Sequence, residues 1–276
     1  MAVTKTNASN NTSELRVHKY SAFIGRMYES NPANDQSMAE AVALAGGDDV
    51  RKAGFRGTGK DTPSGIALAY LVEKEVTAWK YVVSGVLSNV KLTERTQDNR
   101  RTIYLGLSLV DESGTDFISL DITSEAAQNL LMKLAKAEPG VHTSVSMFGT
   151  YQAPAEGQRS FAHHAASLKQ GEDQVEVKAI SWNDVVQPVI DQKLAPVKDE
   201  MDKESLNGYR TNVKNGIFLN IAKQIAATFE AYRASKQQQG AGDSEDAQSE
   251  QRHEGGQADA VPAEGSLEGT DTGTNG

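Results

Sequence analysis

Two aromatic residues, Tyr104 and Phe117, sit in runs of strictly alternating polarity. From Thr102 to Val110, Ile103, Leu105, Leu107 and Leu109 alternate with Thr102, Tyr104, Gly106 and Ser108. From Phe117 to Ile122 the apolar set is Ile118, Leu120 and Ile122, which leaves Phe117, Ser119 and Asp121 on the other side. A period of two gives a strand one buried face and one open face. The open face then carries Tyr104 and Phe117 with only small residues between them. Rings spaced in this way form a surface on which planar bases stack. A second layer of chain over the same rings, such as the N-terminal segment, would make them core instead. Trp79, Tyr81 and Tyr151 are further stacking candidates on neighbouring strands.

Cations cluster beside these runs. Lys91, Arg95, Arg100 and Arg101 lie between the first two strands, and Arg159 lies between the last two. All five suit contacts to phosphate, which position a nucleic acid without reading its sequence. Arg51, Lys52, Arg56 and Lys60 fall in a glycine-rich stretch around Phe55. There Gly54 and Gly59-Lys60 have the spacing of a phosphate-cradling Walker A loop. Asp61 stands where that loop needs Ser or Thr for Mg²⁺, Pro63 disturbs the helix that should follow, and a helix rather than a buried strand precedes it. Arg56 and Lys60 are therefore expected to touch nucleic-acid phosphates, or else to lie in a solvated connection. Phe55 either stacks or anchors the loop. His163-His164 invites a metal reading, but adjacent residues on a strand point to opposite faces. One packed and one exposed histidine is the expectation, with no cofactor.

The elements that must position these groups form a pattern. Strands are expected from Trp79 to Leu92, Thr102 to Val110 and Asp116 to Ile122. A helix capped by Ser124 follows, with Ala127, Leu130, Leu131 and Leu134 as one apolar stripe. Two more are expected, Val145 to Gln152 and then Phe161 to Lys169 with Val175 to Ile180. Three strands, a helix and two strands is the order of a five-stranded OB barrel. The fold class expected is thus α+β: an OB-like, five-stranded antiparallel barrel over residues 79–180. Residues 1–13 read as disordered and 14–78 as an N-terminal extension, of which Leu15–Tyr28 is an edge strand or an arm on a neighbouring subunit. Met38–Leu44 reads as helix, and Ile66–Val76 suits either helix or strand. Residues 181–236 read as helical. Phe218, Ala222, Ile225, Phe229 and Tyr232 recur on one face of a 213–234 helix, which packs on the barrel or makes a homo-oligomer.

Composition narrows the classes. The absence of cysteine excludes disulfides, thiolate metal sites and a cysteine nucleophile. No apolar run approaches the roughly 20 residues of a membrane span, and the N-terminus lacks an apolar signal core. A soluble, cytoplasmic protein is expected, in the host cytoplasm if viral. The net charge is −9, but nine acids and one base fall after Gln237, so the body is nearly neutral. Residues 237–276 read as a disordered acidic tail that mimics a polyanion, lowers non-specific binding and recruits a basic protein partner. No Ser/His/Asp set or carboxylate pair marks a catalyst.

The strand–strand–strand–helix–strand–strand pattern from Trp79 to Lys178, with the acidic residues from Asp243 to Asp271, resembles single-stranded DNA-binding proteins, particularly those of bacteriophages. The resemblance covers about half the chain. It implies sequence-tolerant binding of single-stranded DNA in replication, recombination or early transcription control. The other readings are an assembly module without nucleic-acid affinity and a nucleotide-binding enzyme using the 54–60 loop.

Overall fold

In the computed structural model, residues 14–76, 81–97, 99–153 and 161–249 are described. The expectations for residues 1–13, for Trp79 and Arg159, and for most of the acidic tail lie outside them. The chain divides after Ala234 into two compact units, and the described strands all belong to the first.

The structure is α+β. Two strands come first, β1 (Glu14–Ser21) and β2 (Arg26–Glu29). Three helices follow: α1 (Pro32–Leu44), α2 (Asp48–Ala53) and α3 (Pro63–Glu73). The long hairpin β3 (Val82–Gln97) and β4 (Arg100–Asp111) continues into β5 (Gly114–Asp121). After α4 (Glu125–Leu134) come β6 (His142–Gln152), β7 (Phe161–Gln170) and the two-residue β8 (Val175–Glu176). A π-helical turn (Trp182–Val186) leads into α5 (Gln187–Leu194), and α6 (Lys203–Ser249) follows.

The strands form one eight-stranded mixed sheet in the order β2-β1-β5-β4-β3-β6-β7-β8. It closes partly into a ring where Arg26 of β2 pairs with Phe148 of β6. The expected five-stranded antiparallel arrangement is corrected in two respects. The N-terminal segment, where an edge strand or an arm was expected, supplies two further strands of the ring, β1 and β2. The sheet is mixed, because β1 runs parallel to β5 with Arg16 opposite Asp116 and Val17 opposite Phe117. Alternation along a strand reveals its faces but not its neighbours, which is why these partners escaped the sequence. The expected final strand, Val175–Ile180, pairs only at Val175–Glu176, while Val177 and Ile180 pack on the core.

Side chains on β1 and β5 hold the parallel pair. The Arg16 guanidinium donates to both Asp116 oxygens, at 2.9 and 2.8 Å. Buried His18 places Nε2 2.6 Å from the same carboxylate, and its Nδ1 lies 3.1 Å from the Tyr81 hydroxyl. Burial pushes that hydroxyl up to about 12, so at neutral pH it stays protonated.

Two hydrophobic clusters result. One fills the ring with Leu87, Leu105, Leu107, Ile118 and Val145, closed by α4 through Leu130, Leu131 and Leu134. Phe218, Ala222, Ile225 and Phe229 of α6 are buried in it too. Of the two placements expected for this stripe, these four residues take the one against the chain's own core. The second cluster joins Phe23, Ile24 and Tyr28 to α1 and α3 through Met38, Ala41, Val42, Leu68 and Leu71. Met27 enters the first cluster and Tyr28 the second, so β2 ties them together. Helical backbone in α6 runs beyond Gln237, where the sequence reads as disordered.

The Asp116 clamp makes a first test. Asp116→Ala strands a buried histidine and leaves Arg16 with Asp111 alone, a change that costs about 3 kcal/mol. Urea denaturation should show that loss, with a smaller one, about 1 kcal/mol, for Tyr81→Phe. A change below about 1 kcal/mol for Asp116→Ala would show that the clamp does not hold β1 in the ring.

Candidate functional site

Register places the outward side chains of four neighbouring strands on one lattice. On β5 these are Phe117, Ser119 and Asp121, and opposite them on β4 lie Ser108, Gly106 and Tyr104. Lys91 and Thr93 of β3 stand opposite Gly106 and Tyr104, and Arg95 stands opposite Thr102. Val17 and Lys19 of β1 flank Phe117 and Ser119. The β3 bulge between Leu87 and Asn89 keeps Leu87 and Val90 both inside, and so turns Lys91 and Arg95 outward.

Tyr104 and Phe117 are both partly buried on this face, and no second layer closes over them completely. The Phe117 ring lies across Gly106: a Cβ there would sit 2.5 Å from Phe117 Cζ. Glycine is required by this close approach. The outer side of each ring is met by a cation, with Lys91 Nζ 5.1 Å from the Phe117 centroid and the Arg95 guanidinium carbon 5.2 Å from that of Tyr104. Such contacts are worth roughly 0.5–1 kcal/mol at exposed sites. Lys91 and Arg95 are themselves exposed. The face therefore offers two rings and two long-stemmed positive charges on a floor of small side chains.

The remaining candidates lie elsewhere. Arg101 points to the reverse side of the β3–β4 hairpin, where it pairs with Glu94. Arg100 opens β4. Tyr81 belongs to the Asp116 clamp. Tyr151 packs beside Gly57, in the loop that carries Arg56 and exposed Lys60. Phe55 is the anchor of that loop: it is buried and wedged between Gly25 and Gly149, whose added Cβ atoms would each fall 2.9 Å from its ring. The loop joins α2 to α3, with Thr62 capping α3 through the Gly65 N–H. It thus lacks the preceding strand from which a Walker A loop springs.

His163 and His164 divide as alternation requires. His164 lies inward, 2.6 Å from the Tyr20 hydroxyl, and burial lowers its pKa. His163 is exposed, stacked on Phe161 and 3.2 Å from Glu125. Among the described residues, no cluster of His, Asp and Glu suits a metal ion. Also among them, no helix is long and apolar enough to cross a membrane.

Sequence reading missed the role of Gly106 and the contributions of Lys19 and Arg51 to the ground beside Tyr104. The only signal for Lys19 was a mixture of basic and aromatic residues in Leu15–Tyr28. Arg51 was grouped with the glycine-rich loop, whereas it lies on α2. Comparison of the chain with protein-family models, curated proteins and solved structures finds no match.

The ring–glycine contact yields a double-mutant cycle. Gly106→Val should cost about 1–3 kcal/mol by overpacking against Phe117. In a Phe117→Ala background most of that cost should vanish, because the two sites share one space. Additive losses in thermal or urea unfolding would show that Phe117 does not rest on Gly106.

Proposed function

We propose that this chain is a sequence-tolerant single-stranded DNA-binding protein built on an OB-like ring. The observation that carries this reading is the outward face on which Phe117 and Tyr104 each lie beneath a cation from one strand, Lys91 and Arg95. In an OB fold, oligonucleotides bind on the face of strands two and three. Here β4 and β5 are the second and third strands of the β3–β4–β5 meander, and they carry the two rings. The meander, the helix α4 against the core and the β3–β6 pairing support the OB-like description.

Binding proceeds by exchange. Lys91 and Arg95 leave the rings for phosphates of the incoming strand, and bases take their place on Phe117 and Tyr104. Stacking is worth roughly 1–3 kcal/mol per base, more than the cation–π contact given up. Every base has a π-face, so the site tolerates any sequence. A duplex keeps its bases stacked on one another and offers only phosphates. The biological setting proposed is replication, recombination or early transcription control of the phage type. In it the acidic residues from Asp243 to Asp271 discourage non-specific polyanion binding.

A second reading, an assembly module, is favoured by exposed apolar side chains on the same ring. Val86 lies opposite Val110, and Val82 and Phe148 line one shallow hollow.

Labelled oligo-dT and the matching duplex, titrated across a salt series, decide between them. The expected result is salt-sensitive binding to the single strand alone. Tyr104→Ala and Phe117→Ala should each lose about 1–3 kcal/mol. Lys91→Ala should flatten the salt slope by about 0.7. Extrapolated to high salt, that variant should retain its affinity, because its ring is already uncovered. Binding to neither nucleic acid, together with self-association, would sink the proposal in favour of the assembly module.

A further inference from the structure

A groove of about 680 Å³ lies where the ring's hydrophobic cluster meets that of the helical layer. Its sheet side is lined by Arg95, Tyr104, Ser119 and Lys19, and its helical side by Tyr28 of β2 and Arg51 of α2. Seams between packed units are where ligand pockets concentrate, and this volume lies within the usual range of roughly 300–1,000 Å³.

The charges in the groove do not balance: Lys19, Arg51 and Arg95 stand against Asp35 and Asp121, and Asp35 is taken by Lys19. Asp35 accepts from Lys19 Nζ at 3.0 Å, from the Tyr28 hydroxyl at 3.0 Å and from Ser30 Oγ. Burial alone would raise the Asp35 pKa, but these bonds outweigh it and hold the carboxyl below its usual range. Asp35 therefore stays ionised at neutral pH and keeps Lys19 occupied. Asp121 accepts from the Thr123 N–H and hydroxyl, at 2.8 and 2.7 Å. Among the described residues no carboxylate pairs with Arg51, which is exposed. The charge available to a ligand is cationic, with Arg51 on one side and Arg95 on the other.

The groove is also continuous with the stacking face. Ser119, in its wall, is the next outward residue after Phe117 on β5, and Tyr104 belongs to both. A chain leaving Tyr104 on the side away from Phe117 passes between β4–β5 and α2.

We infer that this groove is a second subsite for the same single strand. It takes the nucleotide beyond the base stacked on Tyr104, with Arg51 as its phosphate contact and the helical layer as its wall. This rests on the proposed single-stranded DNA binding and adds α2 to the site. It also gives the second hydrophobic cluster a role, since that cluster holds Arg51 opposite the sheet.

The test uses the full chain, a long labelled oligo-dT and poly-dT. Replacing exposed Arg51 leaves both clusters intact, and unfolding curves serve as the control. Arg51→Ala should weaken binding several-fold at 0.1 M salt and lower the salt slope by about 0.7. Arg51→Glu should weaken it further and shorten the length of poly-dT occluded per protein. If both variants keep the wild-type slope and occluded length while Tyr104→Ala loses affinity, the groove is empty in the complex and this inference falls, with the stacking face intact. If the wild-type chain binds no oligo-dT at all, the underlying reading falls as well.

Discussion

The Asp116 carboxylate is the point on which this structure turns. It is buried and serves two donors from β1, Arg16 and His18, while Tyr81 completes the chain of hydrogen bonds behind it. A carboxylate so placed is costly unless every lone pair finds a partner, and here both partners come from the one strand that runs parallel to β5. The clamp therefore selects a register as well as adding stability. With Arg16 opposite Asp116, Val17 must flank Phe117 and Lys19 must flank Ser119. β1 then delivers β2 to β6, which partly closes the ring, and the turn between β1 and β2 carries Phe23 and Ile24 into the helical layer. One polar cluster thus sets both the closure of the ring and the wall of the groove beside it.

On the face so built, the near-neutral charge of the body stops mattering. Two cations reach the rings from positions four residues apart on β3, and the outward turn of both follows from one bulge. Local placement, and not net charge, produces an anion-attracting surface. Each contact of this kind is worth less than a stacked base, as the proposed exchange requires. A bare aromatic face would expose apolar rings to other proteins.

The two inner rows of the hairpin and the stripe of α4 were legible in the sequence because period two and period 3.6 are written in single residues. Leu105, Leu107, Ile118 and Leu120 are buried as that pattern requires, and so are Leu130, Leu131 and Leu134. Tyr104 and Phe117 were legible as outward residues for the same reason. What was not legible depends on distant pairs. Arg16 and Asp116 are a hundred positions apart, and nothing in either segment names the other. Arg101 looked equivalent to Arg95, yet alternation sends it to the opposite face, where Glu94 takes it. Phe55 read equally as a stacking ring or an anchor, and only the approach of Gly25 and Gly149 from two other elements makes it an anchor. The α6 stripe required a partner, and its own core supplied one.

That last point bears on how such a protein would cover a long single strand. Two stacked bases at roughly 1–3 kcal/mol each, with a few phosphate contacts, give moderate affinity that falls steeply with salt. Durable coverage then has to come from many copies side by side, and the apolar face of α6 is not free to join them because Phe218 and Phe229 are buried. The surfaces that remain are on the ring itself, where Val82, Val86, Val110 and Phe148 are exposed. The stacking face and this apolar strip share β3 and β4, since Val86 and Val110 lie on the same two strands as Lys91 and Tyr104. Contacts between copies through the strip would therefore be felt directly at the strand that carries both cations. On this layout, the face proposed for single-stranded DNA and the exposed apolar strip belong to one sheet.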